Sequence, residues 1–257
     1  MTIDELTLSI EQAAQLLKQA KHIVALTGAG ISTPSGIPDF RSPTSGLWKD
    51  VDPFEVASIF GFKQNPQAFY DWVRPLTKTI LEAHPNAAHT ALMQLESLGY
   101  LKSVITQNID MLHSKAGSSH VLEIHGHLRE GTCIHCFTVY PAQALLEKCL
   151  ETGEIPRCEK CGNVIKPNVV LFGEQLPIRE LQASKQAARE CDVMLVVGTS
   201  LEVAPASDLP ILAHRTGSKL IIINLSTTPA DQYAQIVIHG NAADILPQIV
   251  QRLETLL

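Results

Sequence analysis

Residues 21–32, KHIVALTGAGIS, form a short apolar run that ends in a glycine-containing turn. Apolar runs of this length, rich in β-branched residues, suit strands that are covered on both faces, as in a parallel sheet. The glycines allow the backbone to approach a phosphate, whose charge is met by backbone N–H groups and a helix N-terminus. Thr33 stands where the usual G-x-G-x-x-G fingerprint has its third glycine. The stretch predicts a strand and a phosphate-binding turn, and a tight turn without a ligand is the alternative.

Similar apolar runs recur along the chain and alternate with helical patterns. The predicted strands are residues 22–26, 102–105, 193–197 and 220–223, with 235–238 as a possible fifth. The predicted helices are residues 10–21, 86–98, 178–190 and 243–257. This alternation predicts an α/β fold with a doubly wound parallel sheet. Ligands of such sheets bind outside the carboxyl ends of the strands, where the unusual polar sequences of this chain lie.

Composition narrows the class of protein. The chain has 257 residues, 45% of them hydrophobic and 18% charged, and a net charge of 20 − 26 = −6. This balance is typical of a folded protein, and the negative charge argues against direct binding to nucleic acid. Acidic residues at the start argue against a signal peptide, and the apolar runs fall short of the roughly 18 residues of a membrane helix. We expect a cytoplasmic protein without a membrane partner.

Four of the six cysteines form two C-x-x-C pairs, Cys133/Cys136 and Cys158/Cys161. Two such turns can close a tetrahedron of thiolates around zinc, and four thiolates leave no open position for chemistry. Residues 132–164 also break the strand–helix alternation, so they predict a small inserted zinc-binding module. Unpaired core thiols are one alternative. A redox pair is another, although such pairs sit at a helix start after a strand.

Two polar clusters and one histidine lie at or near the ends of predicted elements. Residues 34–41, PSGIPDFR, form a loop that carries an acid, an aromatic and an arginine side by side. Residues 106–110, TQNID, follow the second strand, and His125 precedes the cysteine module. Loops on a rigid sheet often carry function, and histidine is the usual general base near neutral pH. Each cluster also has an ordinary interpretation, as a helix cap or a surface histidine.

Taken together, these motifs resemble the sirtuins in identity, order and spacing, from about Lys21 to Leu246. The motifs that carry the resemblance are residues 28–32 (GAGIS), 36–41 (GIPDFR), 106–110 (TQNID), 125–126 (HG), the two C-x-x-C pairs, 170–174 (VLFGE), 198–200 (GTS) and Asn224. The pattern is most similar to bacterial and archaeal members.

The resemblance implies a Rossmann-like NAD-binding domain, residues 1–131 and 165–257, and a zinc-ribbon-like module, residues 132–164. It implies that an acetylated-lysine protein or peptide binds between them. The family moves the acyl group of lysine to ADP-ribose and releases nicotinamide, free lysine and O-acetyl-ADP-ribose. The sequence leaves the oligomeric state open, with a monomer expected.

The resemblance also assigns roles to individual residues. His125 would be the general base and would also contact NAD, and the zinc ligands would be Cys133, Cys136, Cys158 and Cys161. The peptide would pair with Val170, Phe172 and Gly173 as an added strand. The residues implied for NAD are Gly28, Ala29, Gly30, Thr33 and Arg41 near the phosphates and ribose; Asp39, Phe40, Ile109 and Asp110 towards nicotinamide; Gln107 and Asn108 near the ribose; and Gly198, Thr199, Ser200, Asn224, Leu225 and Ala242 at the adenosine half.

One departure concerns the acyl group. Family members that favour succinyl or malonyl groups carry Tyr-x-x-Arg, whereas here Tyr70 is followed three residues later by Val73, with Arg74 one place too far. We therefore expect an apolar pocket for acetyl or longer apolar acyl groups. The rival functions are an NAD-dependent ADP-ribosyltransferase, a module that only senses NAD or acyl-lysine, and a hydride-transferring dehydrogenase.

Overall fold

The main sheet has the strand order of a dinucleotide-binding fold. The structure is a computed structural model that describes residues 2–40, 46–49 and 51–257. The strands in this part of the chain are β1 Ile23–Thr27, β2 Leu101–Thr106, β3 Val121–Glu123, β4 Gly126–Cys133, β5 Val139–Pro141, β6 Ile165–Val169, β7 Val193–Val197, β8 Lys219–Asn224 and β9 Ile236–His239. Six of them form one parallel sheet in the order β3-β2-β1-β7-β8-β9.

Helices cover both faces of this sheet. The α-helices of the described residues are α1 Ile3–Gln19, α2 Pro53–Val56, α3 Ile59–Gln64, α4 Pro66–Glu82, α5 Ala87–Ser97, α6 Leu112–Ala116, α7 Ala142–Thr152, α8 Ile178–Glu190, α9 Leu209–Arg215 and α10 Ala242–Leu256. One core cluster joins α1, α5 and α10 to one face, and another joins α8 and α9 to the opposite face. The predicted doubly wound sheet is confirmed, and the order reverses between β1 and β7, where ligands of such sheets bind.

The predicted strands and helices appear close to their expected positions. The largest difference is at α1, which begins at Ile3 instead of residue 10. Its start is fixed by a capping box in which the Thr2 hydroxyl accepts from the Glu5 amide and the Glu5 carboxylate accepts from the Thr2 amide. Apolar periodicity alone misses this start, because the buried face of α1 begins only at Ile10.

A second, smaller part of the molecule includes more of the chain than the module predicted at residues 132–164. Strands β5-β4-β6 form an antiparallel sheet; β4 begins before residue 132, and β6 lies wholly after residue 164. Helices α3 and α4, which periodicity did not predict, share an apolar cluster with this sheet and α7, including Phe62, Phe69, Tyr70, Leu146 and Val169. Among the described residues, no helix combines the length and apolar composition that crossing a membrane requires.

Candidate active site

Glycines bring the turns after β1 and β7 into direct contact. The Gly28 amide donates to the Val197 carbonyl over 3.2 Å, and the Gly30 amide donates to the Gly198 carbonyl over 2.9 Å. A Cβ on Gly30 would lie 2.9 Å from that carbonyl oxygen, and a Cβ on Gly198 would lie 2.3 Å from the Ile31 amide nitrogen. Gly198 also has a φ of +61°, a region that favours glycine. No other residue fits this contact without displacing the two turns.

Gln107 and His125 connect the central strands to one another. The Gln107 amide donates to the Thr27 carbonyl over 3.0 Å, and its side-chain amide donates to the Thr199 hydroxyl over 2.9 Å. The Gln107 carbonyl lies 3.0 Å from Nδ1 of His125. Because a carbonyl oxygen only accepts, Nδ1 carries the proton in this contact, and Nε2 is the basic nitrogen of the neutral ring.

A buried polar group lies beside this contact. The Ser32 hydroxyl donates to Asp110 over 2.6 Å, and Nδ2 of Asn108 donates over 3.1 Å to both the Ser32 hydroxyl and the Gly28 carbonyl. Asp110 also accepts from the Leu112 amide over 2.9 Å, at the start of α6. These bonds hold a carboxylate that is only 3% exposed beside the turn after β1. The predicted residues Asn108 and Asp110 therefore come together with Gly28.

Two buried histidines lie beside this polar group. His113 Nε2 lies 2.9 Å from the Thr27 hydroxyl, which donates in turn to Thr106. His89 accepts from the Asn86 amide at Nδ1, and its ring lies edge-on to His113 with the centroids 4.8 Å apart. Burial lowers the pKa of His89 to about 4 and that of His113 to about 3. Both rings are therefore neutral at pH 7.

Aromatic rings line the other side of the site. Phe40 stacks on Trp48 with the centroids 5.2 Å apart, and Trp48 stacks on Trp72 at 5.1 Å. Trp48 also contacts Phe172 at 6.1 Å, and Phe172 contacts Phe54 at 5.0 Å. The loop that carries Phe40 and the segment that carries Phe172 thus meet through one tryptophan.

The segment at residues 170–174 is bonded along one edge to its own chain. The Val170 amide donates to the His125 carbonyl over 2.8 Å. The Phe172 amide donates to the Ala57 carbonyl over 2.9 Å, and the Phe172 carbonyl accepts from the Ile59 amide over 3.0 Å. The backbone amide and carbonyl of Phe172 are therefore already paired, and an added peptide strand would meet the Phe172 ring. Gly173, which is exposed and has a φ of +86°, follows at the tip.

The residues expected at the adenosine half occupy the ends of β7 and β8 and the start of α10. Gly198, Thr199 and Ser200 follow β7, and the Thr199 hydroxyl also accepts from the Leu201 amide. Asn224 ends β8, and its side chain donates to the Ser226 carbonyl over 2.8 Å. The remaining two are Leu225, which is 69% exposed, and Ala242, which is buried at the first turn of α10.

The other residues expected near NAD fall in the same region, with one exception. Ala29 lies in the turn after β1, where the Thr33 hydroxyl donates to the Gly30 carbonyl over 3.1 Å. Ile109 is half-buried, and the Asp39 carbonyl accepts from the Leu47 amide over 3.0 Å. Arg41 lies outside the described residues.

Sequence reasoning missed several side chains of this region: Ser32, Trp48, Trp72, His89 and His113. Ser32 stands within the quoted GAGIS motif, so its position beside two glycines was an available signal. The two tryptophans and two histidines come from separate elements, and only their tertiary contacts reveal them.

The four predicted cysteine ligands converge at one point of the small sheet. Their sulfur atoms all lie within 4.8 Å of one another, with closest pairs at 3.4 Å, Cys133 to Cys161 and Cys136 to Cys158. A tetrahedron with Zn–S bonds of about 2.3 Å has edges of about 3.8 Å, so the cluster is close to the size that zinc requires.

The acyl-specificity residues differ in their surroundings. The Tyr70 hydroxyl donates to the Ile165 carbonyl over 2.6 Å inside the apolar cluster of α4 and the small sheet. Val73 lies in the same cluster, whereas Arg74 donates to Asp71 over 2.8 Å and to the Gly153 carbonyl over 3.3 Å. Arg74 is therefore committed to partners at the surface side of α4.

Comparison with known proteins agrees with this arrangement. The model of the Sir2 family matches residues 28–205. An NAD-dependent protein deacylase 2 from Archaeoglobus fulgidus is 49% identical over 96% of this chain and 97% of its own. A solved structure that describes the structural basis for the mechanism and regulation of Sir2 enzymes has a TM-score of 0.91 at 47% identity. The match covers 97% of this chain and 99% of that chain.

A further solved structure carries bound molecules. It is a Sir2 variant with a deacetylated p53 peptide and 3′-O-acetyl-ADP-ribose, and it has a TM-score of 0.89 at 38% identity over 94% of this chain and 97% of its own. The family model covers more than half of the chain, and the identities extend over nearly all of it. The chain belongs to the Sir2 family, the sirtuins.

Proposed function

We propose that the protein is an NAD-dependent protein-lysine deacetylase. It transfers the acetyl group of an acetyl-lysine side chain to ADP-ribose, and nicotinamide, free lysine and O-acetyl-ADP-ribose are the products. One water molecule completes the balance of atoms. The deacylase name of the Archaeoglobus relative and the acetyl-ADP-ribose bound to a related Sir2 structure support this reaction.

The observation that carries the proposal is the anchoring of His125 on two sides. Its ring donates to the Gln107 carbonyl, on the segment that follows β2, and its own carbonyl accepts from Val170, on the segment expected to bind the peptide. Two short bonds would therefore hold the histidine between the two substrates. A neutral imidazole with Nε2 as its basic nitrogen can take the proton of a ribose hydroxyl, which then attacks the acetyl carbon.

NAD would bind along the carboxyl ends of β1, β2, β7 and β8, where the expected contact residues lie. The close approach of the glycine turns after β1 and β7 and the Gln107–Thr199 bond support a phosphate and ribose site between the two central strands. Gly198 to Ser200, Asn224, Leu225 and Ala242 would hold the adenosine half. Arg41 would complete the phosphate contacts.

The nicotinamide ring would lie against the buried group of Ser32, Asn108 and Asp110. This group offers a fixed carboxylate and amide in a place with little water, and Ile109 and Phe40 add apolar walls. Such a pocket favours loss of nicotinamide, because fixed dipoles and a carboxylate in a dry site stabilise the positive charge that passes from the pyridinium ring to the ribose as neutral nicotinamide leaves. The acyl oxygen then bonds to the anomeric carbon as the nicotinamide bond breaks.

The peptide would bind at Val170, Phe172 and Gly173. The Phe172 ring, with Trp48 and Phe40, would cover the acyl-lysine stem, because the three rings form a continuous apolar wall. Because the Phe172 amide and carbonyl are already paired, an added strand would take its backbone contacts from the neighbouring residues, with little selectivity for side chains. The surroundings of Tyr70, Val73 and Arg74 support a preference for acetyl and longer apolar acyl groups.

We also propose that the four-cysteine cluster holds one structural zinc ion. Four thiolates would fill the coordination shell, so the ion would stabilise the small sheet and supply no chemistry to the reaction. The thiolates would come from Cys133, Cys136, Cys158 and Cys161. None of the six cysteines forms a disulfide, and four would be zinc ligands. This use of cysteine suits a reducing compartment, and we place the protein in the cytoplasm.

The experiment that tests the function is mass spectrometry of an acetyl-lysine peptide incubated with the protein, with and without NAD, using the wild type and His125→Ala. We expect NAD-dependent loss of acetyl and release of nicotinamide, and a fall of at least about 100-fold in the variant, the range for a general base. An intact peptide, together with ADP-ribose attached to a protein, would favour the ADP-ribosyltransferase instead.

A further inference from the structure

The peptide-binding segment ends in a tight turn that is closed by one carboxylate. The Glu174 amide donates to the Leu171 carbonyl over 3.0 Å, and the Leu171 amide donates back to Oε2 of Glu174 over 2.9 Å. Gly173 stands inside this turn with a φ of +86°. The two reciprocal bonds fix the direction in which the turn presents Gly173.

Lys166 binds the same carboxylate from the strand before the turn. Its ammonium donates to Oε2 of Glu174 over 3.0 Å, to the Val169 carbonyl over 2.7 Å and to the Pro167 carbonyl over 3.0 Å. These three bonds use all the donors of an ammonium group. The side chains are only 13% and 23% exposed for Lys166 and Glu174, and burial lowers the pKa of Lys166.

This clamp, defined as Lys166 and Glu174 with their bonds, surrounds Val170. It binds the carbonyl of Val169 on one side and the amide of Leu171 on the other. The amides of Val170 and Phe172 are bonded to other parts of the chain, so the segment is held along one edge by hydrogen bonds and at its end by the clamp. The position of the remaining edge then depends on the clamp.

We propose that Lys166 and Glu174 are positioning residues that hold the turn at residues 171–174 in the conformation that binds the substrate peptide. The inference rests on the proposed function, because it takes Val170 and Gly173 as peptide contacts. A buried pair with every donor satisfied is a poor source of net stability but a specific geometric constraint. Loss of the clamp would lower affinity for the peptide and leave the NAD site and His125 intact.

The test measures peptide and NAD dependence separately. Steady-state kinetics give KM for an acetyl-lysine peptide at saturating NAD and KM for NAD at saturating peptide, and fluorescence anisotropy of a labelled peptide gives its Kd. For Lys166→Met we expect the peptide KM and Kd to rise about 10-fold, with kcat and the KM for NAD within about two-fold, the pattern for lost ground-state binding. Lys166→Arg keeps the charge and should recover part of the affinity.

Lys148→Met is the matched control. Lys148 pairs with Glu154 over 3.6 Å in the same small part of the molecule, but that pair is exposed and belongs to α7 and the residues after it. The same substitution there should leave the peptide KM unchanged. If Lys166→Met does not fold, Glu174→Gln takes its place, because it keeps an oxygen for the Leu171 amide and removes the charge.

Three results would overturn the inference. They are an unchanged peptide Kd in a folded clamp variant, an equal rise in the KM values for NAD and peptide, and a Lys166→Arg variant as weak as Lys166→Met. Each requires an active wild type. Failure of the wild type to deacetylate the peptide would instead count against the proposed function.

Discussion

Replacing Gly198 by alanine should lower the free energy of unfolding by more than the cost of its backbone conformation. The added Cβ would also disrupt the contact between the two central turns. A φ of +61° costs a residue with a Cβ about 1–2 kcal/mol. The new Cβ would also lie 2.3 Å from the Ile31 amide nitrogen and 2.7 Å from the Gly30 carbonyl carbon. Forced packing of this kind costs about 1–3 kcal/mol. The free energy of unfolding should therefore fall by about 2–5 kcal/mol.

Thermal denaturation gives the size of this effect, and NAD binding gives its location. At about 2–4 °C per kcal/mol for a chain of this size, we expect a fall in Tm on the order of 10 °C and weaker NAD binding. Gly99→Ala is the matched control, because Gly99 has a φ of +81° and nothing within 4 Å of its added Cβ. It should lose only the backbone cost and bind NAD normally. Equal losses in the two variants, with NAD binding intact in both, would refute the close contact of the turns.

Three further predictions concern zinc, pH and acyl specificity. Cys158→Ser should abolish zinc binding and lower Tm, whereas Cys191→Ser, a buried thiol outside the cluster, should keep about one zinc per chain by elemental analysis. For His89 and His113, whose native pKa values are about 4 and about 3, the unfolded chain binds more protons below about pH 6.5. Stability should be full above that pH and fall towards pH 4 by on the order of 3 kcal/mol for each ring. Denaturant midpoints check this, and a flat profile from pH 7 to 4.5 would contradict it. Succinyl-lysine peptide should react at least about 10-fold more slowly than acetyl-lysine peptide, since one uncompensated charge in an apolar pocket costs more than 1.4 kcal/mol, and comparable rates would disprove the apolar pocket.

The main sheet could be predicted from the sequence because its strands are buried on both faces. Such strands read as continuous apolar runs, as at residues 193–197 and 220–223, and the structure places strands there. β3 has only three residues and no apolar run, so it left no signal. Helices α2 and α3 are short and are fixed by caps at Asp52 and Ser58 more than by periodicity.

The residues of the candidate site also fall into those that the sequence could predict and those that it could not. Residues that act together within one loop, such as Gln107, Asn108 and Asp110, could be found as a polar cluster in the sequence. The partners that hold them could not, because His89 reaches Ser32 from α5 and His113 reaches Thr27 from α6. A histidine on the buried face of a helix reads as a core residue until its neighbour is known. The clamp at Lys166 was missed for the same reason.

The proposed reaction consumes acetyl-lysine and NAD together. The most direct test is quantitative mass spectrometry of a single incubation, in which deacetylated peptide, nicotinamide and O-acetyl-ADP-ribose are counted against the NAD consumed. We expect equal amounts of all three products at every time point. Nicotinamide released in excess of deacetylated peptide, with ADP-ribose found on protein and no acetyl-ADP-ribose, would contradict it.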